Sequence, residues 1–219
     1  MSARLPIFLI DLDSVLVEPR GYRMAIQSTL AYFTNMMGLG DLYPGEDVIA
    51  SLEAINMTSE WDITPILLAS IFEALLEQNM TLDLSGDLLA ACEMVRRSSV
   101  QVPEMDYSTL AGKLGGHFKP GMEYASLAFE LNRFGAANPP FPLLVEHPLL
   151  NALLLNTRSL DGALTTRVFQ HFTLGSNRFE QLTRLPRMFE CDSYLEKHDQ
   201  LLLSTAARDL LLINWKSRK

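Results

Sequence analysis

The segment "PIFLIDLDSVLVEPRGYR", residues 6–23, places two carboxylates inside an apolar run. The apolar residues that lead into Asp11 predict a strand over residues 5–11 that is buried on both faces. An ionised carboxylate in apolar surroundings is costly unless a partner neutralises it. The segment therefore raises the question of what pairs with Asp11 and Asp13.

Asp11 and Asp13 have the spacing of a phosphoryl-transfer site at the end of a strand. Residues i and i+2 of a strand face the same side, about 6–7 Å apart, and ligand sites of parallel sheets lie at the carboxyl ends of strands. One carboxylate can attack phosphorus, and the other can protonate the leaving oxygen and then activate water. Mg²⁺ prefers such oxygen ligands. The alternative is a strand that ends at Leu9 and leaves both acids in a solvated turn.

Composition limits the classes of protein that the chain can belong to. Its 219 residues are 48% hydrophobic and carry a formal net charge of -8, which fits a globular protein and argues against a basic nucleic-acid groove. Cys92 and Cys191 make neither a disulfide framework nor a zinc site, which favours the cytoplasm. The sequence has no run of about 18 consecutive apolar residues, so we expect no membrane-spanning segment and no membrane partner.

After the first strand the hydrophobic pattern is almost entirely helical. Ser85 is predicted to cap a helix, and Thr64 and Pro65 resemble a helix start. A Ser-x-x-Glu capping box at Ser193 and Glu196 predicts a helix that reaches towards Trp215, while "PLLVEH", residues 142–147, is compatible with a short strand. The predicted helices span residues 20–37, 44–55, 61–79, 85–97, 121–133 and 162–174.

The segment "IFLIDLDSVLV", residues 7–17, resembles the first motif of the haloacid dehalogenase superfamily. The segments "GYRMAIQSTLAYF", "EWDIT" and "TTRVFQHFTLGSNRFEQL" resemble a branch of that family whose cap is an all-helical insert. The resemblance implies that Asp11 is the nucleophile and Asp13 the general acid/base. It also implies that the Asp11 side chain and the Asp13 backbone carbonyl bind Mg²⁺ in a phosphatase-type hydrolase.

The same resemblance implies an α/β fold with a Rossmann-type core, complete or incomplete in this chain, and a large, mostly α-helical cap, so that the chain is helix-dominated overall. Residues 1–20 would form the first strand and flap, residues 21–190 the cap, and residues 191–219 a helix that returns towards the core.

Other motifs of the family are absent from the sequence. It has no lysine or acidic pair in the expected context, and "QLLLST", residues 200–205, resembles the serine/threonine motif only superficially, because the upstream capping box favours a helix there. The chain therefore resembles an N-terminal half, and a second chain or second copy is a candidate to complete the sheet. The alternatives are a non-catalytic scaffold protein and a small-molecule binding module.

Three further side chains are weaker candidates for binding a small phosphorylated substrate. Arg20 and Arg23 follow the first motif, and arginine suits bidentate phosphate oxygens; the alternative is a solvated helix start. Trp61 is a candidate to line the entrance to the site, and the alternative is a core anchor with Asp62 as a helix cap. The histidines show no metal-ligand spacing and are expected at surfaces or helix ends, namely His117, His147, His171 and His198.

Overall fold

A computed structural model describes residues 17–18, 20–107, 109–117, 121–198 and 200–201. Two short strands, β1 (Val17–Glu18) and β2 (Gln200–Leu201), enclose a helical body between residues 20 and 198. A 3₁₀ helix spans Leu144–Glu146. The α-helices of the described residues are α1 (Arg20–Met37), α2 (Glu46–Ala54), α3 (Glu60–Gln78), α4 (Leu88–Ser98), α5 (Leu110–Gly115), α6 (Tyr124–Arg133), α7 (Leu149–Leu154), α8 (Leu164–Leu174), α9 (Ser176–Thr183) and α10 (Tyr194–His198).

Helix α3 is the centre of the helical body. Thirteen of its 19 residues are buried, so it has no wide solvent-facing side, as expected of a helix that is apolar nearly all round. It packs against α1, α6, α7, α8 and the 3₁₀ helix. Its fully buried side chains include Ile66, Leu67, Leu68, Ile71, Phe72 and Leu75.

Helix α3 begins at Glu60, one residue before the predicted range and one turn before the start that Thr64 and Pro65 indicate. Ser59 is the N-cap residue, and its carbonyl accepts hydrogen bonds from the backbone N–H groups of Asp62 and Ile63. Pro65 therefore lies inside the helix, where its missing N–H removes one helical hydrogen bond. The Asp62 carboxylate, which contacts the Arg158 guanidinium and the Ala125 N–H, holds the first turn of α3 in place.

The two ends of the helical body meet in an antiparallel strand pair. Val17 is paired with Leu201 and Glu18 with Gln200. Helix α10, which precedes β2, packs against α1, and the Ser28 hydroxyl lies 3.1 Å from the Tyr194 hydroxyl. The chain therefore leaves the helical body beside the point at which it enters.

The α/β, Rossmann-type part of the predicted fold class is wrong. Within the described residues, the strands are the two-residue β1 and β2, and they pair antiparallel with one another rather than in a parallel sheet. Apolar side chains elsewhere recur at helical spacing, which buries one face of a helix and not of a strand. The predicted strand over residues 5–11 lies outside the described residues. The helix-dominated part of the prediction is confirmed.

Two local predictions, for residues 142–147 and for the segment after Ser193, were also wrong. The segment "PLLVEH" forms a 3₁₀ helix rather than a strand, because the Glu73 carboxylate accepts the N–H groups of Leu143 and Leu144. The helix predicted from Ser193 towards Trp215 ends at His198, and Gln200–Leu201 is a strand. The capping contact itself is present, since the Ser193 hydroxyl accepts the Glu196 N–H at 3.3 Å.

Within the described residues, no helix combines the length and the apolar character needed to cross a lipid bilayer.

The start of α4 gives a first test of the structure. Asp87, rather than the predicted Ser85, is the N-cap residue, and its carboxylate accepts the Ala90 N–H at 2.8 Å. We expect Asp87→Ala to lower the free energy of unfolding by about 1 kcal/mol, the usual value of a lost N-cap. Urea denaturation followed by circular dichroism measures this.

Ser85→Ala is the matched control, because the Ser85 hydroxyl accepts only the Asp87 N–H ahead of the helix. A larger loss for Ser85→Ala than for Asp87→Ala would contradict the observed cap.

Candidate functional site

The predicted catalytic pair lies outside the described residues. Asp11 and Asp13 precede Val17, the first described residue, by six and four positions. Their proposed roles, and the predicted binding of Mg²⁺, therefore stay predictions. In the part of the chain that the structure describes, no group of three or more His, Cys, Asp or Glu side chains is arranged to hold a metal ion.

Arg20 and Arg23 lie on the first turn of α1, directly after β1. Arg20 is exposed at the helix start. The Arg23 guanidinium is bonded to two carboxylates of α2, that of Glu46 and that of Glu53, the latter at 3.1 Å. The positive charge of Arg23 is therefore neutralised by α2, and an incoming phosphate would have to compete with both acids.

Trp61 lies in the first turn of α3 and is partly buried. The guanidinium carbon of Arg158 lies 5.5 Å from the centre of its ring, within the range of a cation–π contact. The structure thus places Trp61 against an arginine at the edge of the core. It does not bring Trp61 together with Arg20 or Arg23 through any described contact.

Asp62 is the best-connected buried acid of the described residues. It is 3% exposed, and its carboxylate is 2.7 Å from the Arg158 guanidinium and accepts the Ala125 N–H at 3.1 Å. Arg158 also contacts the Ser59 hydroxyl and, at 3.0 Å, the Glu123 carboxylate. Burial raises the pKa of Asp62, whereas Arg158 and the backbone N–H groups at the start of α6 lower it.

The contacts of Asp62 give it a structural role. The sequence suggested that it caps its own helix, but its carboxylate caps the N-terminus of α6 instead. Arg158, in the loop before α8, completes the clamp. Because the acid, the arginine and the helix N-terminus satisfy one another, this cluster holds three segments together and leaves little hydrogen-bonding capacity for a ligand.

Glu73 repeats this arrangement about three turns further along α3. It is 6% exposed, and its two carboxylate oxygens accept the N–H groups of Leu143 and Leu144, each at 2.8 Å. Burial raises the pKa of Glu73, and these two hydrogen bonds oppose the rise. Glu73 thus fixes the 3₁₀ helix against α3 as Asp62 fixes α6.

The cavities lined by described residues include two that carry several charged side chains. One, of about 510 Å³, lies between α9 and α10; its polar lining includes Ser176, Arg178, Cys191, Ser193, Glu196 and Lys197. The other, of about 200 Å³, lies beside Glu73 and is lined by Glu77, Glu104, Asp106 and Lys113 among others. Arg178 and Glu196 in the larger cavity are bonded to each other at 2.7 Å.

His171 lies in the last turn of α8, at a helix end as the sequence indicates, and not at the surface. Its side chain is fully buried. Its ring is stacked between Phe179 and Phe189, with centroid distances of 4.6 and 4.2 Å. The signal available in the sequence was its position among the aromatic and aliphatic residues of "VFQHFTLG", residues 168–175.

Comparisons with protein-family models, with curated proteins and with solved structures find no match to this chain. The resemblance to the haloacid dehalogenase superfamily therefore depends on the sequence motifs alone.

The Asp62–Arg158 clamp predicts strong energetic coupling between the two side chains. We expect a double-mutant cycle of Asp62→Asn and Arg158→Met to give a coupling free energy of about 1–3 kcal/mol, because the carboxylate is buried and shares a network with the arginine. Denaturation of the four proteins in urea measures it.

The exposed pair of Arg178 and Glu196, with side chains 58% and 61% exposed, is the matched control. Its cycle is expected to give only about 0–1 kcal/mol, because water screens exposed charges. Equal coupling in the two cycles would contradict the clamp.

Proposed function

We propose that this chain takes part in Mg²⁺-dependent phosphoryl transfer of the phosphatase type, with Asp11 as nucleophile and Asp13 as general acid/base. An Asp11 oxygen attacks the substrate phosphorus while the bond to the leaving oxygen breaks, and Asp13 protonates that oxygen. Asp13 then takes a proton from the water that hydrolyses the aspartyl-phosphate, which releases phosphate and restores Asp11. The carboxylates fit Mg²⁺ by donor type, and the ion would offset the repulsion between these acids and the phosphate.

The observation that carries this proposal is the pairing of β1 with β2. In the sequence Asp13 lies four residues before Val17, the start of β1, and the helical body returns to β1 through α10 and β2. A body whose two ends meet beside one segment has the connectivity of an insert attached next to that segment. This supports a role for the helical body as a cap beside the two acids.

The proposed substrate is a small phosphorylated molecule. Its phosphoryl group would meet Asp11 and Asp13. Arg20 and Arg23, in the first turn of α1 just after β1, are the candidates to contact phosphate oxygens. A phosphate at Arg23 would compete with Glu46 and Glu53. Trp61 stays a proposed contact at the entrance to the site.

We also propose a partner that completes the site. The sequence lacks the family's lysine and acidic pair in their expected context, so a second chain that carries them would supply these groups. A second copy of this chain would lack the same groups. The two cysteines are free, which supports a reducing compartment, and we assign the protein to the cytoplasm.

A non-catalytic interaction or scaffold role is the second candidate. It is favoured by the neutralisation of charge within the described residues, where Arg23, Asp62 and Glu73 are each engaged by protein groups. In this case the helical body would present a binding surface and the two acids would have no reaction to perform.

Turnover of a generic aryl phosphate by the full chain, isolated together with the partner that it binds, tests the proposed reaction. We expect Mg²⁺-dependent hydrolysis that a chelator abolishes, and loss of activity by at least about 10²-fold in Asp11→Asn and in Asp13→Asn, since these changes remove the nucleophile and the proton-transfer group. Trapping of phosphate on the protein by acid quench should be lost in Asp11→Asn.

Asp47→Asn is the matched control, because Asp47 is an exposed acid in the first turn of α2. It should retain full activity. An unchanged rate in Asp11→Asn would overturn the assignment of the nucleophile. A folded monomer by gel filtration and scattering that neither turns over nor traps phosphate would favour the scaffold role.

A further inference from the structure

A segment that we call the strap, residues 185–193, crosses α8 and α9 and leads into α10. Ser176, Ser193 and Arg187 anchor it to these helices, Arg187 through Glu180 of α9, and the Ser176 N–H donates to the Cys191 carbonyl at 3.0 Å. The Ser176 hydroxyl lies 2.8 Å from both the Phe189 carbonyl oxygen and the Cys191 nitrogen, and the Ser193 hydroxyl donates to the Thr173 carbonyl at 2.9 Å.

The Ser176 hydroxyl fixes the tautomer of His171. Ser176 has one hydroxyl proton, and it donates this proton in a hydrogen bond to the Phe189 carbonyl, because a carbonyl can only accept. The Cys191 N–H then donates to the Ser176 oxygen, and so does Nε2–H of His171 at 3.2 Å. In the neutral imidazole Nδ1 is therefore a bare acceptor, and it is buried without a hydrogen-bond partner among the described residues.

The position of the His171 ring disfavours a positive charge. Protonation of Nδ1 would create a second donor with no described acceptor, between the rings of Phe179 and Phe189. A cation–π contact contributes about 0.5–2 kcal/mol, which is less than the several kcal/mol that burial of an unpaired ion costs. Burial accordingly lowers the pKa of His171.

The charged groups around His171 lie mainly on the strap. Glu190 favours the imidazolium and Arg187 opposes it, and Arg187 is itself bonded to Glu190 and to Glu180 of α9. The other titratable groups that pack here are the Cys191 thiol, Tyr32 of α1 against Phe189, and Tyr194 of α10 against Phe172. Asp192 lies next to Cys191 on the strap.

We propose that His171 is a pH-sensitive latch, and that its protonation releases the strap from α8 and α9. The charged ring leaves the space between the two phenylalanines, and Phe189 and the Ser176 hydrogen bonds separate with it. Because the strap leads into α10 and β2, release loosens the attachment of α10 to α1. The open form is then the one in which His171 reaches water and holds its second proton.

Hydrogen exchange of the strap amides in the full chain tests the latch. If the released imidazole has the ordinary pKa of about 6.5, the open population, from exchange rates corrected for intrinsic pH dependence, should rise up to about tenfold per pH unit below that value. The rise should be confined to the strap and α10, whereas the buried amides of α3 should stay protected. Equal loss of protection in α3 would overturn the proposal in favour of global unfolding.

His171→Phe keeps the aromatic stack and removes the titration, so its strap protection should not change over the same pH range. His117→Gln, at an exposed histidine, is the matched control and should behave as wild type. A strap whose protection in the wild type is independent of pH, or a His171→Phe variant with the same pH dependence as wild type, would overturn the proposal.

Glu190→Gln is a second test variant. Because Glu190 is exposed, this substitution does not alter the packing of the core. Because Glu190 favours the protonated ring, its loss should shift the NMR titration midpoint of the His171 ring to lower pH. A midpoint that stays in place or moves to higher pH would contradict the proposed electrostatics.

Discussion

The burial of α3 on nearly all sides is the constraint on which the rest of the structure depends. A helix in this position has no solvent face for its polar residues, yet α3 carries Asp62 and Glu73 among its buried residues. Each carboxylate accepts backbone N–H groups at the start of another helical segment. The cost of burying two acids is thereby offset by groups that would otherwise lack partners, and the acids fix the positions of α6 and the 3₁₀ helix.

The sequence predicted the helices well where a wide apolar face faces the core. Helix α1 matches the predicted range within one residue at its start and end, and α8 ends at Gly175 as its pattern indicates. The predictions failed where a distant side chain decides the local conformation. Glu73 makes a 3₁₀ helix of a segment with strand-like composition, and Arg158 holds the first turn of α3 ahead of Pro65. Neither contact has a signal in the local sequence.

The candidate site residues also fall into two groups: those with a signal in the local sequence, and those whose contacts lie far away in the sequence. The acids at positions 11 and 13 stand out by composition alone, because charges are rare inside an apolar run. Arg23 is a candidate for phosphate or a solvated helix-start residue from its neighbours in sequence, whereas Glu46 and Glu53 bind it from 23 and 30 residues away. For His171 the pattern indicates a surface or a helix end, and it could not show that Phe189 would cover its ring. For Arg23 and His171, contacts with residues distant in the sequence decide the environment of the side chain.

The antiparallel pair of Val17 with Leu201 and of Glu18 with Gln200 also has a consequence for how the helical body can be exchanged between polypeptides. Since its two ends lie one strand spacing apart, splicing the body into the turn of a host hairpin would require little loop-closure entropy. Among the described residues the two paired strands are the attachment of the body, so a twist of this strand pair would swing the body as a rigid unit. Recombination and hinge motion would therefore act at the same four residues.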